Sequence, residues 1–88
     1  MTDRLEHRRK KLLYRATYRG FKEADILIGA FARAHLSEMD EAGLDEFEAL
    51  LAMNDRDLYA WATGKAAPPA NIRGPILDQL CAFDLLKH

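Results

Sequence analysis

Eighty-eight residues, 49% hydrophobic and 31% charged, with a single cysteine, describe one small folded unit and exclude both a disulfide scaffold and a disordered chain. No apolar run approaches the roughly 20 residues that a membrane-spanning helix requires. The net charge of −1 hides a polarised chain: residues 1–22 hold eight Lys or Arg against two acids (+6), and residues 23–88 hold five against twelve (−7), a pattern that commonly marks a docking surface for a charged partner.

Helical periodicity accounts for nearly the whole chain, and no window shows sustained two-residue alternation with β-branched enrichment. The first helix is expected from about Asp3, as N-cap, to Tyr18. Leu5, Leu12, Leu13 and Ala16 give it a thin apolar stripe, and Arg4, Arg8, Arg9, Lys10, Lys11 and Arg15 cover most of the rest. Gly20 is placed to end it in the left-handed cap conformation. The second helix is expected over Lys22–His35, with Ile26, Leu27, Ala30, Phe31 and Ala34 as its core face. Asp40 is expected to cap the third helix, which buries Leu44, Phe47, Leu50 and Leu51. Asn54 or Asp55 then opens a short fourth helix carrying Leu58, Tyr59 and Trp61, and Gly64 stops it. A Pro-containing connector leads into a fifth helix over about Pro69–Leu86, with Ile72, Ile76, Leu77, Leu80 and Phe83 inward and Gly74-Pro75 able to delay its start. The expected fold is all-α, a single-domain antiparallel five-helix bundle over residues 1–88.

Nothing in this pattern assembles a catalytic set. Cys81 falls beside the core positions Leu80 and Phe83 and is expected to be a small buried hydrophobe. His7, His35 and His88 are far apart and lack metal-ligand spacing. Neither Gly20 nor Gly64 belongs to a phosphate-binding loop. An enzyme is therefore not expected. The basic first helix could lie along phosphates, but the chain is slightly acidic and its aromatics do not interleave with the cations, so nucleic-acid binding is not the leading expectation either.

That leaves the junction Arg19-Gly20-Phe21-Lys22-Glu23, where the basic helix meets the apolar one. One reading is punctuation: Gly20 caps a helix, and Glu23 meets the dipole of the next. The other is an exposed recognition corner, with Arg15, Arg19 and Lys22 clustered near it and Glu23 offering an acceptor to a partner's cation. Further along, Asp55-Arg56-Asp57-Leu58-Tyr59-Ala60-Trp61 reads mostly as structure, with Tyr59 a candidate for partial exposure at an interface.

These two runs resemble the succinate dehydrogenase flavinylation-factor family of small five-helix proteins. Arg19-Gly20-Phe21-Lys22-Glu23 fits that family's Arg-Gly-x-x-Glu signature, and Asp55 to Trp61 is similar to its Asp-x-Asp-Leu-x-x-Trp run. The likeness covers roughly Arg8 to Leu80. It implies an assembly chaperone for the flavoprotein subunit of succinate dehydrogenase, with fumarate reductase as a second client, that promotes covalent flavinylation. In that chemistry a client histidine attacks the 8α-methyl carbon of the flavin, so the FAD belongs to the client and none is covalently bound by this chain. The implied partner-binding residues are Arg19, Gly20, Phe21, Lys22 and Glu23, with Arg8, Arg15, Asp55 and Tyr59. Gly20 would allow close backbone approach, and the basic helix would orient the encounter. A monomer is expected, because no large apolar stripe is left over, and so is a bacterial cytoplasmic location without membrane insertion. The alternative expectation is a small antitoxin-like regulatory module that binds protein or RNA through its basic first helix.

Overall fold

The computed structural model describes residues 2–83. Five α-helices follow one another, with a 3-10 turn at Leu36–Glu38: α1 Thr2–Thr17, α2 Lys22–His35, α3 Glu41–Leu51, α4 Asp55–Ala62 and α5 Pro75–Ala82. No strand occurs among the described residues, so the all-α expectation holds. Leu86, expected as the end of the last helix, and His88 lie outside the described residues.

One core joins all five helices. Leu12 and Ala16 of α1, Ile28, Phe31 and Ala32 of α2, Leu44, Phe47, Leu50 and Leu51 of α3, Leu58 of α4, and Ile76, Leu77 and Leu80 of α5 are buried together. Phe31 lies at its centre, with the rings of Phe47 and Phe83 at 5.9 and 5.6 Å. Each Leu, Ile or Phe side chain that is fully buried there contributes about 1.5–3 kcal/mol.

Helix starts follow their caps. The Asp40 side chain accepts the Gly43 N–H at 2.8 Å, and the Asn54 side chain accepts the N–H groups of Arg56 and Asp57. Asn54 is thus the cap of α4, and Asp55 is free for another task. Gly64, at φ +79°, ends α4 in the left-handed conformation. α1 begins at Thr2, so Asp3 lies inside the helix rather than capping it.

Four further expectations are corrected. The buried face of α2 is Ala24, Ile28, Gly29, Phe31 and Ala32, whereas Ile26 is 47% exposed and Ala34 is exposed. Gly29 explains the rotation: a Cβ there would lie 2.9 Å from Thr17 Cγ2, so α1 crosses α2 closely at the glycine and turns that side inward. α5 begins at Pro75 rather than Pro69. Glu46 of α3 caps it, accepting the N–H groups of Ile76 and Leu77 at 2.9 and 3.1 Å. Cys81 is exposed rather than buried, its Sγ donating to the Trp61 carbonyl at 3.4 Å. Finally, Tyr14 and Tyr18 of the α1 end are 65% and 68% exposed, so apolar surface does remain outside the core.

Candidate functional site at the Arg-Gly corner

The chain leaves α1 at Thr17 and enters α2 at Lys22 through a tight corner built by groups close to it in sequence and far from it. Asp25, in the first turn of α2, accepts the backbone N–H of Arg19 across the corner. The Arg19 side chain does not project outward. Only 7% of it is exposed, and its Nη2 pairs with Asp55 Oδ1 at 2.5 Å and donates to the Met53 carbonyl at 3.4 Å. Its Nε is buried and makes no hydrogen bond among the described residues. Arg19 is therefore a strut between the corner and the start of α4, and not the exposed donor of the sequence reading.

Phe21 extends the same junction. Its ring meets Tyr59 edge-on at 5.3 Å, and the Arg56 guanidinium lies over its face at 5.0 Å. Gly20 faces Asp55 and is not in the left-handed region, Gly64 being the only described residue with positive φ. The expected helix-terminating role of Gly20 is thereby overturned. What stays outward is Lys22, Glu23, Ile26 and Tyr18, with the Tyr14 ring tilted against that of Tyr18 at 4.6 Å.

The structure thus brings Arg19, Gly20 and Phe21 together with Asp55 and Tyr59, residues some thirty-five positions apart, and presents Lys22 and Glu23 beside them. Arg8 is not part of this group. It lies in the first half of α1, well before the corner, and pairs with Asp45 at 2.5 Å and Glu48 at 2.9 Å; these hydrogen bonds push its pKa up. Arg15 approaches Glu48 at 3.7 Å, and Arg4 pairs with Glu41 at 2.6 Å. Arg9 donates to the carbonyls of Leu36 and Met39. The cationic strip of α1 is therefore interlaced with α3 carboxylates, which weakens the case for an RNA-binding face. Lys10 and Lys11 have no acidic partner among the described residues.

Sequence reasoning missed Asp25, Arg56, Ile26 and the Tyr14–Tyr18 pair. The signal for Asp25 was its first-turn position one turn after Phe21, and that for Ile26 was the alternative stripe Ala24-Ile28-Phe31 one notch around the helix. Among the described residues no group of three or more His, Cys, Asp or Glu side chains could hold a metal ion. Although the residue is exposed, partial desolvation of its Sγ, with Asp78 adding to it, pushes the Cys81 thiol up, which disfavours the thiolate a nucleophile needs.

With this geometry in place, the comparison with known proteins is specific. Residues 10–84 match the protein family described as Flavinator of succinate dehydrogenase. The chain belongs to that family. Proteins named succinate dehydrogenase assembly factor 2, mitochondrial, are its relatives: that of Saccharomyces cerevisiae is 41% identical over 84 residues, 96% of this chain and 49% of that protein. That of Danio rerio is 37% identical over 81 residues, 90% and 51% respectively. That of Scheffersomyces stipitis is 44% identical over 59 residues, 67% and 40%. The chain spans about half the length, or less, of these relatives. They are named as mitochondrial proteins, a compartment different from the bacterial cytoplasm expected from sequence. No described helix is long and apolar enough to cross a membrane.

Proposed function

We propose that this chain assists assembly of succinate dehydrogenase by docking on the flavoprotein subunit through the Arg-Gly corner, and so promotes covalent attachment of FAD to that subunit. The observation that carries the reading is the joining, in a chain of this family, of the two signature runs into one built surface. Arg19-Gly20-Phe21 is locked on Asp55 and Tyr59, and Glu23 and Lys22 stand exposed beside the lock.

The role is conformational rather than catalytic. The corner presents an exposed carboxylate at Glu23 and an exposed ammonium at Lys22, which suit charge-assisted hydrogen bonds to a partner. Docking there holds the client in the geometry in which its own histidine and flavin meet, and orientation of that kind is worth several kcal/mol of barrier. FAD stays with the client. A cleft of about 580 Å³ between the 3-10 turn, α3 and α5 is edged by Glu38, Asp40 and Glu46, whose charge opposes a pyrophosphate. Fumarate reductase, with a flavoprotein subunit of the same kind, is the second client of this reading, and the encounter takes place in the aqueous compartment where that subunit is made, the cytoplasm in a bacterium.

The test is the covalent FAD content of the flavoprotein subunit, read by ultraviolet fluorescence on a denaturing gel, with the chain present or absent. A rise with the chain present is expected. No difference refutes the assembly reading.

A further inference from the structure

Gly20 sits where the chain turns from α1 into α2, yet its backbone does not require glycine, since its φ is not positive. What requires glycine is a neighbour in the same chain. A Cβ on residue 20 would stand 2.5 Å from Asp55 Oδ2 and 3.5 Å from Asp55 Cγ, the first far inside van der Waals contact. A side-chain carboxylate can usually swing aside, but this one is held: its other oxygen pairs with the Arg19 guanidinium at 2.5 Å, and that side chain is only 7% exposed. Moving Asp55 would leave a buried arginine without its counter-charge.

We infer that Gly20 is kept free of a side chain for Asp55 of this chain, not for an approaching partner. We infer also that the Arg19–Asp55 pair is a positioning device, fixing the corner that bears Lys22 and Glu23 onto the start of α4. Three ties converge on it. Arg19 reaches Asp55 from the last residue before the glycine. Phe21, the first residue after it, lies against Tyr59 and under Arg56. Asp25 holds the Arg19 amide from the α2 side. With all three in place the first turn of α2 is held against α4, so the backbone that bears Glu23 keeps one direction. The steric part of this inference stands by itself, and the activity part rests on the proposed function.

A double-mutant cycle in thermal unfolding tests it. Gly20→Ala alone is expected to lower the midpoint by about 5 °C or more. Asp55→Ala lowers it as well, by removing the partner of Arg19. On that background Gly20→Ala should leave the midpoint unchanged or raise it, because alanine in a compatible conformation only narrows the unfolded chain. Asp55→Asn keeps the crowding, so on that background Gly20→Ala should remain destabilising. Additive losses on the Asp55→Ala background would overturn the clearance role. Should Asp55→Ala not fold, the wild-type protein still decides: the Arg19 guanidinium should give resolved, slowly exchanging NMR signals, and averaged signals typical of an exposed arginine would overturn the tie.

The activity arm uses temperatures at which both proteins are fully folded by circular dichroism. The concentration of Asp55→Ala chain giving half-maximal covalent flavin on the client should rise about tenfold or more over wild type, with Asp55→Asn recovering part of the loss. An unchanged concentration for folded Asp55→Ala would overturn the positioning role. No flavin gain from wild type would instead strike the proposed function, and the unfolding cycle would then judge the inference on stability alone.

Discussion

At the scale of single residues, two glycines share an explanation that propensity does not supply. A Cβ at Gly74 would lie 2.6 Å from Glu46 Oε2, as one at Gly20 would meet Asp55, and in each case the crowded carboxylate is engaged elsewhere. Glu46 caps α5 by accepting two N–H groups, a charged acceptor on a helix start. Glu46→Ala should therefore cost about 1–3 kcal/mol, seen as a lower urea midpoint with an unchanged slope. Glu23 is the contrasting case. It is exposed, and among the described residues no hydrogen bond or ion pair holds its side chain. Glu23→Ala should melt within about 0.5 kcal/mol of wild type while covalent flavin on the client falls to near the level without the chain. Full flavin with that variant would move the contact away from Glu23. The corner was legible in sequence as a place but not as a mechanism. Arg19 and Gly20 read as surface because local spacing cannot reveal a partner thirty-six positions away.

At the scale of elements, caps and periodicity recovered α2, α3 and α4 nearly residue for residue, because Asp40, Asn54 and Gly64 are local signals that tertiary context did not override. The face of α2 was not recoverable in the same way. Ile26-Ala30 and Ala24-Ile28 are both helical stripes, and only the close crossing of Gly29 on Thr17 selects between them. The start of α5 was open for a related reason, since the acceptor that caps it sits on α3. The charges of α1 illustrate the third kind of ambiguity. Read alone they suggest a polyanion partner, whereas in the fold Arg4, Arg8 and Arg15 face Glu41, Asp45 and Glu48. Such partly exposed pairs are individually weak, so Arg8→Ala should lower stability only slightly at low salt. The difference from wild type should shrink at about 1 M salt, measured as paired melting curves. A salt-insensitive difference would mean that the aliphatic stem of Arg8 is what matters.

At the scale of the whole molecule, the two halves that looked oppositely charged are folded against one another, and the apolar surface left uncovered is concentrated at the α1 end and on α2, in Tyr14, Tyr18 and Ile26. The same arrangement sets how the domain comes apart. α5 has eight described residues, too few to persist as an isolated helix in water, and its first two hydrogen-bonded amides are held by a side chain from a helix formed thirty residues earlier. α5 therefore has no independent existence. It forms only once α3 is in place, and it has no inexpensive way to fray from its own N-terminal end. The amide protons of Ile76 and Leu77 should accordingly exchange with deuterium only through opening of the entire domain, at the rate shown by Phe31 and Phe47. Faster exchange at those two positions would make α5 a separately opening unit. A chain emerging from the ribosome would, on this account, remain unfinished at α3 until α5 arrives.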